Sequence, residues 1–287
     1  MNNFIITTET TCDLPDSYLT ENNIDIFSLD YKLEDIIYSK DNSLKPKDFY
    51  AKMRAGSIPT TNAIIPEIAK ETFKRYTDQG LAVLHIGFSS GLSGSYANAA
   101  LAANEVIQEN PDAKIIFIDS LCASLGEGLL VYKAVELRSS GKTIDETAKW
   151  VEENKLHICH QFTVDDLNHL HRGGRVSKAT AIIGTLVSVK PVLHVDDEGH
   201  LTPLSNVRGR KKSLITLVDN MEKSIGNYKN DIVFISHGDS LEDAQYVAEL
   251  IKERFGITKS LINYVSPTIG AHSGPGTIAL FYMGEKR

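Results

Sequence analysis

Four short stretches of the 287-residue chain gather side chains able to hold an anion or attack a carbonyl. The first is Gly87-Phe88-Ser89-Ser90-Gly91-Leu92-Ser93-Gly94-Ser95-Tyr96, which follows an apolar run and opens a helical segment. Its glycines let the backbone approach a ligand, and a helix start offers unpaired N–H groups to an anion. Ser93 or Ser95 suits an N-cap equally well. Gly87 to Gly91 also fits G-x-S-x-G, the nucleophile elbow of α/β-hydrolases, with Ser89 as nucleophile. An elbow needs its helix directly after the serine, and Gly91 and Gly94 delay it. The second stretch, Pro59-Thr60-Thr61-Asn62, places two hydroxyls and an amide where they can donate to a carboxylate. It also reads as a plain loop running into a helix at Pro66. The third, Leu167 to Val176, sets Arg172 and Arg175 around Gly173-Gly174. Arginine pairs with carboxylates and phosphates, although a solvated basic turn has the same composition. The fourth, Ile269 to Gly276, fixes His272 among three glycines and a proline and suits it to donate or carry a proton.

Other chemistries lack their residues. His160 faces away from His157 and Cys159 if the three share a strand. His169 and His171 are not at i, i+4, and no P-loop, HExxH or G-x-G-x-x-G after a strand occurs. We therefore expect neither metal nor cofactor. Cys12, Cys122 and Cys159 are odd in number and far apart, which fits a reducing compartment. Met1 to Ile6 lack a basic region, and no stretch approaches about 18 uncharged apolar residues. The expectation is a cytoplasmic protein without membrane insertion. The net charge of −7 argues against bulk nucleic-acid binding. It is unevenly spread. Residues 170–212 hold eight basic residues against Asp196, Asp197 and Glu198, a local +5 that leaves −12 elsewhere. A basic patch on an acidic protein suits an anionic ligand or an acidic partner.

The elements that must position these residues alternate regularly in the first half. Strands are expected over Phe4–Thr8, Ile26–Leu33, Leu81–Ile86 and Lys114–Ile118. Helices are expected from Pro46 to Arg54, from Pro66 to about 78, and over 93–108, 124–139 and 143–154, with Ser57–Asn62 as loop. Strand, polar loop and helix in this rhythm imply parallel strands joined by right-handed crossovers. The second half begins with a strand over Leu156–Phe162 and short helices over 165–171 and 179–188. A hairpin turns at Asp197-Glu198-Gly199, then helix and strand alternate to a glycine-rich loop, Gly270–Gly276, and a closing strand. The fold class is α/β, with an N-terminal parallel-sheet domain over residues 1–155 and a C-terminal mixed α/β domain over 156–287.

Taken together, Thr8 to Leu14, Thr60-Thr61, Ser90 to Tyr96, Asp119-Ser120, Leu170 to Arg175, Lys190-Pro191, Arg208 to Lys212 and Gly270 to Gly276 occur in the order of the DegV family, which the chain resembles along its whole length. The resemblance implies a two-domain protein that holds one long-chain fatty acid, such as palmitate, in a tunnel between its domains and has no catalysis of its own. Some members are the fatty-acid-binding subunits of bacterial fatty acid kinase, presenting the carboxylate to a separate ATP-binding kinase that makes an acyl phosphate for phospholipid synthesis. On that pattern Thr61 and Ser93 hydrogen-bond the carboxylate, with His272, Gly94 and Asn62 beside it. Arg172, Arg208, Arg210 and Lys211 face the phosphate or the kinase. The family loop usually runs Thr-Ser-Gln-Pro, whereas here it is Thr61-Asn62-Ala63-Ile64. Burying a tail of about fourteen methylenes is worth roughly 11 kcal/mol before ordering costs, but the carboxylate must find donors. The competing readings are a serine hydrolase using Ser89 or Ser93 with His272, and a regulator whose signal is the lipid.

Overall fold

The structure, a computed structural model, describes residues 4–177 and 188–287. The helix expected over 179–188 and Lys178 lie outside the described residues. The first sheet is parallel throughout, in the order β2 (Ile24–Phe27), β1 (Phe4–Glu9), β6 (Ala82–Gly87), β7 (Ile115–Asp119). β1 and β6 open with apolar residues and are buried almost throughout, polar Thr7, Thr8, Glu9 and His85 included, as strands covered on both faces must be. On one face α3 (Pro66–Thr77) and α4 (Ser95–Glu109) pack Ala69, Phe73, Ala99 and Ala103 against Phe27 and Val83. The other face meets α5 (Leu125–Ser139), and α6 (Ile144–Asn154) follows it, opened by a capping box between Thr143 and Glu146.

Residues 155–157 lead from α6 into a six-stranded mixed sheet. Its order is β10 (Leu201–Arg208), β9 (Val189–Val195), β8 (Ile158–Thr163), β13 (Ile278–Met283), β11 (Val233–His237), β12 (Ser260–Tyr264). Outside it α8 (Arg210–Ser224) and α9 (Leu241–Phe255) bury Leu217, Val218, Val247 and Ile251 on Ile235 and Leu280. A short helix, α7 (Asn168–Arg172), follows β8.

Helix α5 lies between the two sheets, which explains its all-round burial. A Cβ on Gly126 would overlap His160 of the second sheet, and one on Gly128 would crowd the Cys12 carbonyl in the turn that follows β1. One continuous core therefore runs from Ile6 and Leu84 through Leu125 and Leu129 to Phe162, Phe234 and Phe281.

Three expectations change. The strand expected over 26–33 is broken: β2 ends at Phe27, and β3 (Tyr31–Leu33) joins a separate small sheet with β4 (Ile36–Tyr38) and β5 (Thr60–Thr61). The Ser28 hydroxyl donates to Asp30 at 2.8 Å and turns the chain between them. Thr60 and Thr61 accordingly stand in a two-residue strand, too short to show a period. Finally, the expected loop around His272 is mostly helix, α10 (Pro267–Ser273), with proline in its first turn. Gly270 belongs inside that helix because a Cβ there would overlap the Tyr50 hydroxyl. Among the described residues no helix is long and apolar enough to cross a membrane.

Candidate functional site

The loops after β1, β6 and β7 converge at the carboxyl end of the parallel sheet, the usual ligand position in such sheets. There they face the inner side of the mixed sheet across a cavity of about 180 Å³. Phe88, Leu92, Phe162, Leu170, Val195 and Phe281 give it an apolar wall. Its polar residues include Thr61, Ser93, Arg175 and His272, with exposed Asn62 and Gly94 marking the mouth.

At that mouth Thr61 Oγ1 and His272 Nε2 lie 2.7 Å apart. Among the described residues His272 Nδ1 has no partner, and Gly173 packs so closely on it that a Cβ would overlap the ring. An unpaired buried donor costs more than an unpaired acceptor, so we assign the proton to Nε2, which donates to Thr61. The Thr61 hydroxyl proton is then free for a ligand. Burial, reinforced by the Arg175 charge, lowers the His272 pKa to about 4, so the ring is neutral at pH 7.

Ser93 is prepared in the same way. Its Oγ accepts from the Ser95 backbone N–H at 3.1 Å and lies 3.0 Å from Ser95 Oγ. Ser95 Oγ in turn accepts from the Ile64 N–H at 3.2 Å, which ties the β6–α4 loop to the Thr61 loop. With Ser95 donating to Ser93, the Ser93 hydroxyl proton is also free. Neither serine caps α4 by its side chain; Gly94 occupies the cap position. Asn62 spends its backbone N–H on Asp30 O at 2.9 Å.

Arg175, which the sequence offers only as a member of the stretch from Leu167 to Val176, completes the mouth. Its Nε donates to Leu92 O at 3.0 Å and its Nη1 to Gly173 O, so the guanidinium is braced by backbone. A signal existed in the paired arginines around Gly173-Gly174, but the partner Leu92 lies 83 positions away. Thr61, Arg175 and His272 also line an outer basin of about 210 Å³ with Ile58, His169 and Arg172. Arg172 is exposed and donates to His169 Nδ1 at 2.8 Å.

The remaining basic candidates differ among themselves. Arg208 is exposed. Lys211 Nζ stands 5.6 Å from the Tyr246 ring centre. Arg210 is bound within its own half, to Asp243 at 2.8 Å and the Gly276 carbonyl at 2.6 Å, so its charge is already paired.

The hydrolase geometry is absent among the described residues. Ser89 is fully buried, donates to Gly199 O at 2.9 Å and accepts from the Gly91 N–H. His272 is engaged by Thr61, Ser93 by Ser95, and no histidine reaches either serine. Likewise, no group of three or more His, Cys, Asp or Glu among the described residues could hold a metal.

Behind the cavity lies a buried carboxyl group. Asp13 Oδ1 accepts from the Ser266 N–H at 3.0 Å, and Oδ2 accepts from Ser124, whose hydroxyl is 2.8 Å from that of Ser236. Burial raises the Asp13 pKa to about 7 against the pull of those hydrogen bonds.

The architecture is thus an α/β protein with a parallel sheet, a mixed sheet and a small third sheet, and with an apolar interior pocket whose mouth carries hydroxyls, a neutral histidine and Arg175. The DegV family model, described as one of uncharacterised proteins, matches residues 3–285. A DegV domain-containing protein of Clostridium perfringens is 42% identical over 289 residues, covering 100% of this chain and 99% of that one. Two solved structures of fatty-acid-binding DegV proteins are similar. The one from Thermus thermophilus has a TM-score of 0.87 and 26% identity, covering 98% of this chain and 99% of that one. The one from Bacillus subtilis has a TM-score of 0.84 and 26% identity, covering 99% and 100%. The chain belongs to the DegV family.

Proposed function

We propose that the protein binds one long-chain fatty acid, with the acyl chain in the apolar cavity and the carboxylate at Thr61, Ser93 and His272. The observation that carries this reading is an apolar wall with two hydroxyls, Thr61 and Ser93, at its mouth; with His272 and Ser95 assigned as donors to them, both hydroxyl protons are available to a ligand. A carboxylate can enter such a site because donors meet it there, and the tail gains from leaving water. Similarity to fatty-acid-binding relatives supports the same ligand.

The reading extends to a non-catalytic subunit that presents the carboxylate to a separate kinase. Thr61 and His272 separate the cavity from the outer basin, where Arg172 offers positive charge to an incoming phosphate. Mass spectrometry of gently purified protein is expected to find one copurified long-chain fatty acid. Protein that is empty, and stays empty when offered palmitate or oleate, refutes the proposal. For presentation, Arg172→Glu is expected to load normally yet fail as substrate for an acyl-phosphate-forming kinase. Normal turnover by that variant removes the role of the basin.

A further inference from the structure

A second cavity, of about 500 Å³, lies behind the first and belongs to no role described above. Leu14, Leu19, Ile26, Tyr31 and Leu44 supply apolar lining, and its rim carries exposed Lys40 and Lys45. Chain neighbours divide between the two cavities. Thr11 lines the first and Thr10 the second; Val265 lines the first and Ser266 the second. Ser124 faces the first, while its partner Asp13 faces the second. Among the described residues only Leu29 and Thr268 line both.

Leu29 is held at this place from two sides. Its N–H donates to Thr10 Oγ1 at 3.0 Å, and its carbonyl accepts from Thr268 Oγ1 at 2.9 Å. The backbone is thus fixed by hydrogen bonds, and Leu29, buried in one cluster with Phe27 and Ile64, lines both cavities.

We infer that Leu29 is a specificity-determining residue: its side chain closes the acyl cavity against the second one and so limits the size of the chain the protein accepts. The inference rests on the fatty-acid reading above. Leu29→Ala removes three carbons from the partition and leaves its backbone bonds in place. A longer chain can then pass into the second cavity, and each methylene taken out of water multiplies affinity by about fourfold.

The test is competitive loading from phosphatidylcholine vesicles containing equal palmitate and behenate, which is six carbons longer, with the bound acids extracted and quantified. Leu29→Ala is expected to raise the bound behenate-to-palmitate ratio about tenfold or more, a conservative share of that gain. Refilling the second cavity with Leu44→Phe in the Leu29→Ala protein is expected to return the ratio toward wild type. Thr268→Ser keeps the hydroxyl that bonds Leu29 O and deletes one methyl from the wall, so it tests the partition even if Leu29→Ala does not fold. It is expected to shift the ratio in the same direction by a smaller factor. Folded variants that load fully with an unchanged ratio overturn the inference, as does a shift that Leu44→Phe does not reverse. Wild-type protein that takes neither acid overturns the fatty-acid reading instead.

Discussion

Replacing Asp13 by asparagine tests the electrostatics of the junction between the two sheets. Asp13 has φ of 53°, a left-handed conformation that asparagine adopts as readily as aspartate. An asparagine carbonyl can still accept from the Ser266 N–H, and its amide can donate to Ser124 Oγ. The one property removed is ionisation. In the folded protein burial raises the carboxyl from 3.8 to about 7. A group raised on folding contributes fully below its unfolded pKa, here near 4, and that contribution is lost as pH rises toward 7. A shift of about three units corresponds to about 4 kcal/mol at full ionisation, and the side chain is too buried for solvent to screen it. Asp13→Asn is therefore expected to exceed wild type in stability at pH 8. The gap should narrow by about 2–3 kcal/mol on going to pH 5. Urea unfolding of both proteins at each pH measures it, and other carboxyls largely cancel in the difference. A gap that does not change with pH refutes the reasoning: the Ser124 and Ser266 hydrogen bonds would then outweigh burial and hold Asp13 near its ordinary range.

Three further outcomes are expected. Ser93→Ala should keep the fold and weaken palmitate binding by about 1–3 kcal/mol, the range for a hydrogen bond to a charged group; calorimetric titration giving wild-type affinity removes Ser93 from the site. His272 should titrate near 4 in ligand-free protein and higher once a carboxylate is loaded beside it, as followed by imidazole NMR shifts. Its neutral form stabilises the fold fully above about pH 6.5, with the contribution lost as pH falls toward 4, so a ligand-free midpoint near 6.5 contradicts the burial argument. Gly126→Ala should destabilise by about 1–3 kcal/mol or more, since the methyl would overlap His160, and an unchanged melting temperature contradicts the close wedging of α5.

Much of the scaffold was legible because its signals are local. The helix Pro46–Arg54 begins and ends where the sequence puts it, and the apolar runs that open β1, β6 and β7 declare a parallel sheet. The hydroxyls at Thr61 and Ser93 were legible only as part of an ordered set of motifs, since a loop serine alone carries no address. What stayed hidden was decided by distant partners. Thr61 became a strand residue because Tyr31 pairs with it, 30 positions away. Gly270 hid a helix because its reason, the Tyr50 hydroxyl, is 220 positions away. Arg175 and Arg172 look alike in sequence, and the Leu92 carbonyl distinguishes them.

That distinction bears on how an anion is held at the mouth. A free guanidinium there would grip both carboxylate oxygens in a bidentate pair, the strongest such contact a protein offers. Arg175 commits Nε to Leu92 O and Nη1 to Gly173 O, which fixes the orientation of the group and leaves Nη2 as its uncommitted amino group among the described residues. In the proposed complex it adds positive field to both the cavity and the basin, and Thr61 and Ser93 are the hydroxyls proposed to bond the ligand. Neutral His272 orients Thr61 without adding charge. A carboxylate held this way is solvated by donors yet not neutralised by an ion pair, and so keeps the electron density needed to attack an electrophile arriving from the basin. Arginine at position 61 would tighten binding of a free acid and, by the same interaction, weaken it as a nucleophile.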